Sequence, residues 1–251
     1  MTTVTLDLFR EDAQLRECTA SVLRVDERGI LPDRTVFYPQ GGGQAGDAGV
    51  LELADGRRVA IADTRKGQGA EGGGEILHLP AGAQALDGLR PGTVLRACID
   101  WPRRWAHMRF HTATHLLCAL VPHPVDGCSI TAGYARLDFH MTEALDKDAL
   151  TAGLARLVAG AHPVSHGWIT DAELDANPGL VRSMSVQPPR LGSGGSGRVR
   201  LLKIEGVDLQ PCGGTHVSNT AEIGQVVVTK IEKKSAKTRR VVLGFAQPSE
   251  A

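Results

Sequence analysis

Apolar and polar positions alternate in short runs through residues 1–95, at 4–9, 18–25, 34–38, 51–53, 59–62, 76–79 and 94–99. A period of two, rich in β-branched residues and broken by turn residues, predicts strands. Ala54-Asp55-Gly56 separates two of these runs, and Asp-Gly is a strong hairpin signal because glycine tolerates the positive φ of a tight turn. Six or seven strands with no helical period predict a small closed barrel.

At Asp100-Trp101-Pro102 the period changes. Proline is tolerated in a first helical turn, and RRWAHMRFHTATHLLCALV, residues 103–121, follows with apolar Trp105, Met108, Leu116, Leu117 and Leu120. Helical spacing sets His107, His111 and His115 on one stripe, with Arg103 and Arg104 near it. Further on, 134–141 alternates like a strand and 145–158 has helical spacing. Thr170-Asp171-Ala172-Glu173 reads as a capping box for a short helix that ends before Asn177-Pro178. Residues 184–186, 199–204, 225–231 and 240–245 read as strands of an antiparallel sheet. The expected class is therefore α+β, with a barrel over 1–95 and a sheet-and-helix domain over 96–251.

Composition narrows the classes. The 251 residues are 42% hydrophobic, enough for one large or two modest cores. No apolar run reaches bilayer length, and MTTVTLDLFREDA has neither a basic region nor an apolar core, so a cytoplasmic protein is expected. Five irregularly spaced cysteines argue against a disulfide framework. Balanced charge, 28 acidic against 28 basic residues, leaves RNA binding open, because local clustering governs it. One cluster exists: Lys230, Lys233, Lys234, Lys237, Arg239 and Arg240 form a basic hairpin, which a solvated turn explains about as well as RNA does.

The histidine stripe carries the candidate chemistry. A polar stripe in a buried helix surface is costly unless it binds something. His111 and His115 alone also fit two satisfied core histidines. Cys212-Gly-Gly-Thr-His216 changes that balance, since a thiolate and an imidazole joined by two glycines suit the other half of a tetrahedral zinc site. A second unusual stretch is FYPQGGGQAGDAG, residues 37–49. A dinucleotide loop would need a βαβ unit around it, and none is predicted. A flexible hairpin tip and a loop that approaches a ligand closely both remain.

HTATHLL with CGGTHVSNTAEIG resembles the editing domain of alanyl-tRNA synthetases and the free-standing AlaX proteins. Residues 38–49 are similar to the YPxxGGQxxDxG signature of that group, which the threonyl-type editing domain lacks. Asp100, Arg103 and Arg104 match its D-x-x-R-R lead into the histidine helix, and NPGLVRSMSVQPP is also similar. The resemblance covers nearly the whole chain. It implies a barrel beside an editing domain, and one Zn2+ per chain on His111, His115, Cys212 and His216, which would carry the catalysis. It further implies substrate contacts from Gly42, Gly43, Gln44 and Asp47, and RNA contacts from Arg103, Arg104, Lys233, Lys234, Lys237 and Arg239. The implied partner is mischarged tRNA(Ala), with no membrane and no nucleotide cofactor. Rejecting glycine or serine in a pocket built for alanine yields only tenfold to a few hundredfold, and a second, hydrolytic site recovers fidelity. Thr112, Thr114 and Gln44 are the candidates to hold a serine hydroxyl. The alternatives are a tRNA-binding module with a structural zinc, a zinc hydrolase of small esters, and threonyl-type editing.

Overall fold

The computed structural model describes residues 4–67, 74–82, 86, 88–184, 187–188, 190–191 and 197–246. The chain divides into two compact units. The first holds Met1–Gly41, Ala45–Arg104 and Arg190–Gly197; the second holds Gly42–Gln44, Trp105–Pro189 and Arg198–Ala251.

The first unit contains β1 (Leu6–Asp7), β2 (Glu17–Asp26), β3 (Gly29–Pro32), β4 (Arg34–Thr35), β5 (Gly49–Leu53), β6 (Arg58–Lys66), β7 (Ile76–Pro80) and β8 (Val94–Ile99). Six of these close the small barrel that the sequence predicts, in the order β2-β3-β7-β6-β5-β8. Inward residues, among them Val22, Ile30, Phe37, Leu51, Ile61 and Ala97, fill its interior. The Asp55-Gly56 turn joins β5 to β6, with Gly56 at φ +86°.

Two runs differ from expectation. Only Leu6–Asp7 of 4–9 is extended; the chain then turns through a short 3-10 segment that buries Phe9. In 34–38 the strand stops at Thr35, because the Thr35 hydroxyl accepts the Phe37 N–H and Asp47 accepts that of Tyr38, which replaces ladder pairing. β3 escaped the sequence reading because all four of its residues are buried, so it shows no alternation.

Helix α1 (Trp101–Leu120) begins under an Asp100 cap, whose carboxylate accepts the Arg103 N–H at 3.1 Å. The chain passes between units inside this helix, after Arg104; residue 95 lies within β8. The second unit adds β9 (Val125–Ile130), β10 (Ala135–His140), α2 (Lys147–Ala159), β11 (Val164–Thr170) and α3 (Asp171–Ala176). After β12 (Arg190–Leu191) come β13 (Arg198–Ile204), β14 (Asp208–Pro211), β15 (Val226–Ser235) and β16 (Thr238–Phe245).

Strands β15-β16-β10-β9 form one antiparallel sheet. Phe110 of α1 stacks on Phe245 of β16 at 4.0 Å, and α2 lies against β15. The predicted capping box at Thr170 and Glu173 is present. The single sheet expected here is in fact two, since β13 pairs separately with β11 and with β14. β9, β11 and β14 gave no strand signal: glycines interrupt the first two, and the third spans four residues. The expected strand at 184–186 and the loops at 68–73 and 192–196 lie largely outside the described residues. No described helix is long and apolar enough to cross a membrane.

Candidate metal centre

His111 and His115 stand one turn apart on α1, and their rings stack with centroids 5.6 Å apart. After β14 the chain turns through Cys212–His216 and brings a thiol and a third imidazole to the same point. The Cys212 Sγ lies 3.5 Å from His111 Nε2 and 3.2 Å from His216 Nε2. All four donor atoms fall within 4.8 Å of one another, and all four residues are buried. Zinc–nitrogen and zinc–sulfur bonds of tetrahedral sites imply donor separations of roughly 3.3–3.6 Å; the two Cys212 distances are close to that range, and the 4.8 Å spread of the full set is wider than a closed shell. His107, on the same stripe, is buried outside this cluster.

Each imidazole is oriented by its outer nitrogen. The His115 Nδ1–H donates to the Asp208 carboxylate at 2.8 Å. The His111 Nδ1–H donates to Gln44 Oε1 at 2.8 Å, and Gln44 is itself fixed by Thr215, which accepts from its amide and donates a backbone N–H to its oxygen. The Thr112 hydroxyl donates to Met108 O, so it accepts from His216 Nδ1–H at 3.2 Å and from Val217 N–H. All three Nε2 atoms thereby face the shared centre, the arrangement seen in metal-ligating histidines.

The charges suit a cation. Burial alone would raise the Cys212 thiol, but the surrounding imidazoles, His111 foremost, outweigh it and hold the thiol well below its usual range. Burial opposes protonation of His115, yet Asp208 and Cys212 push it up to about 9. Burial drives His216 down to about 3, keeping it a neutral donor. A thiolate beside a neutral His216 is the protonation that metal binding requires, and His115 would give up its proton when its Nε2 ligates.

Two glycines make the close packing possible. A Cβ at Gly214 would lie 2.1 Å from His111 Cε1, and one at Gly43 (φ +85°) 2.8 Å from Cys128 Sγ. Arg200 on β13, almost fully buried, donates from Nη1 to Cys212 O and Gly214 O, both at 3.1 Å, and so ties down the ligand turn.

Residues 199–242 match the family described as Threonyl and Alanyl tRNA synthetase second additional domain. The chain is 32% identical over 243 residues to the alanyl-tRNA editing protein AlaX-M of Methanosarcina barkeri, covering 93% of this chain and 96% of that relative. It belongs to the AlaX-M family. AlaX-M of Saccharolobus solfataricus is 30% identical, with 95% and 98% covered. An alanine--tRNA ligase of Pyrococcus furiosus is 32% identical over 97% of this chain, which corresponds to 26% of the ligase.

Several residues of this AlaX-M chain stand elsewhere than the sequence suggested. Arg104, expected at RNA, is fully buried; its guanidinium pairs with Asp47 and donates to Ala13 O and Val36 O. Asp47, expected at substrate, is equally buried, and its carboxylate serves Arg104 and the Tyr38 N–H. Thr112, expected to hold a substrate hydroxyl, has its donor and both acceptor positions committed around His216. Gln44 is fully buried against His111. Thr114 donates to His111 O and keeps acceptor capacity. Gly42 has φ +58°. Arg103 donates to Gly46 O, and Arg239 to backbone carbonyls that include Glu143 O and Ser235 O. Lys233, Lys234 and Lys237 are exposed on the β15–β16 hairpin. Sequence reasoning missed Asp208, Arg200 and Thr215; the composition of Asp208-Leu-Gln-Pro-Cys212 held the one usable signal, an acid four residues before a ligand cysteine.

Proposed function

We propose that this chain is a trans-editing hydrolase that deacylates mischarged tRNA(Ala), with seryl-tRNA(Ala) as main substrate and glycyl-tRNA(Ala) as second. The observation that carries this reading is the buried cluster of His111, His115, Cys212 and His216, each histidine oriented by a second residue, in a chain of the AlaX-M family. Three nitrogens and a thiolate favour zinc. A zinc ion held there would supply Lewis acidity to the ester carbonyl or to a bound water.

The chain's own residues set position and selectivity. Gln44, Thr112 and Asp208 hold the imidazoles in their metal-facing tautomers. Of the three hydroxyl-binding candidates, Thr114 keeps acceptor positions, so we assign it the serine side chain; a site that bonds a hydroxyl discriminates by roughly 10⁴ against a ligand lacking one. The exposed Lys233, Lys234 and Lys237 take tRNA phosphates. A second reading, a tRNA-binding module with a structural metal, draws support from one feature: four protein donors close a tetrahedral shell, as structural sites do.

Deacylation of Ser-tRNA(Ala), beside Ala-tRNA(Ala) and Ser-tRNA(Thr), before and after zinc removal and readdition, separates the readings. Rapid, zinc-dependent loss of serine from tRNA(Ala) alone is the expected outcome. Tight binding of tRNA without turnover of any of the three would leave the binding module.

A further inference from the structure

The three imidazoles do not have equivalent outer partners. His111 leans on an amide and His216 on a hydroxyl, whereas His115 donates to a carboxylate. That carboxylate belongs to Asp208, whose side chain is 1% exposed. Burying an anion is expensive without compensation. Asp208 has three partners: the His115 Nδ1–H at 2.8 Å, the Gln210 amide at 2.9 Å from both oxygens, and Arg182 at 4.0 Å. The centre thus holds two buried acidic groups, the Cys212 thiol and Asp208, and Arg182 at 4.0 Å compensates Asp208 only in part.

We infer that Asp208 is the charged one of the three positioning residues of this centre: it locks His115 as an Nε2 donor and adds negative charge behind that ligand, which a divalent ion favours. This rests on the proposed metal reading and adds a prediction that the reading alone does not make. Metal affinity depends on residue 208, which cannot reach the metal itself while it holds the far side of the His115 ring. Asp208 therefore acts on binding of the ion, and its loss should be felt through His115.

The test uses the full chain and reads metal affinity rather than turnover. Zinc stoichiometry of the wild-type protein comes first; absence of bound zinc would sink the metal reading itself. Zinc affinity is then measured by competition with a chromophoric chelator for wild type, Asp208→Asn, Asp208→Ala, His115→Ala and the Asp208→Ala/His115→Ala double variant. Removing an outer-shell partner of a ligating histidine typically weakens binding 10- to 100-fold, and Asp208→Ala should fall in that range. Asp208→Asn keeps an acceptor oxygen and loses the charge, so its loss should be smaller; it also stands in if the alanine variant does not fold. In the His115→Ala background the change at 208 should have little further effect, since the two act as one unit. Wild-type affinity in both single variants, or full additivity with His115→Ala, would overturn the assignment while leaving the metal site intact.

Discussion

At the scale of single residues, the centre is a problem of packing as much as of chemistry. Gly214 sits where its missing side chain makes room for the His111 ring. Gly214→Ala should abolish stoichiometric zinc binding, because a Cβ 2.1 Å from Cε1 must move either the ring or the ligand turn; metal analysis of the purified variant checks this. Arg104 and Asp47 illustrate the converse, a charged pair whose work is structural. Removal of one partner strands the other in a buried environment, a loss of about 3–5 kcal/mol. Arg104→Ala is therefore expected to lower chemical-denaturation stability by that order. An RNA-contact role would instead have weakened tRNA binding with stability unchanged.

At the scale of elements, the barrel carries its own titratable group. His78 on β7 is fully buried, with Nε2 2.8 Å from the Thr35 hydroxyl and its ring edge-on to Phe37 at 4.7 Å. Burial lowers it from 6.5 to about 4. With the folded value below the unfolded one, the unfolded chain binds the extra proton. Stability from this group is thus complete above pH 6.5 and drains away as pH falls toward 4, by about 3 kcal/mol over that window. Denaturation midpoints between pH 7 and 4 should fall accordingly, and His78→Leu should flatten that slope. The β15–β16 hairpin divides its cations into two kinds. Arg240 is paired with Asp138, and Arg239 with backbone carbonyls, whereas Lys233, Lys234 and Lys237 are exposed. Replacing the three lysines by alanine should weaken tRNA binding and shallow its salt dependence by up to about 0.7–0.9 per lost contact. Melting should be unchanged. Filter binding across a salt series reads the first effect, and an unaltered slope would remove the hairpin from the RNA surface.

At the scale of the whole molecule, an ion that binds only the folded state stabilises it by mass action, about 4 kcal/mol at a thousandfold excess over its dissociation constant. Chelation should therefore lower the melting temperature, and zinc readdition should restore it. Because the four donors all belong to the unit that holds Trp105–Pro189 and Arg198–Ala251, hydrogen exchange after chelation should rise in α1 from residue 105, in β14 and in the 212–216 turn. Uniform change across the barrel strands as well would show instead that the two units unfold together.

Much of this was legible in the chain. The alternating runs marked most barrel strands, and a spacing of four on a helix placed His111 beside His115, because both are local geometric consequences of backbone period. CGGTH announced a donor pair for the same reason: glycines permit the tight turn. What local pattern could not decide was the assignment of polar side chains between metal, substrate and core. Gln44, Asp47, Arg104 and Thr112 all lie in motifs that read as functional, yet two form a buried ion pair and two orient histidines. Their partners are 57 to 171 residues away, or fall on another element altogether. Asp208 and Arg200 are set by strand pairing that brings β13 and β14 to the ligand turn. Period fixes which side of an element a residue faces; only the tertiary fold decides what it meets there.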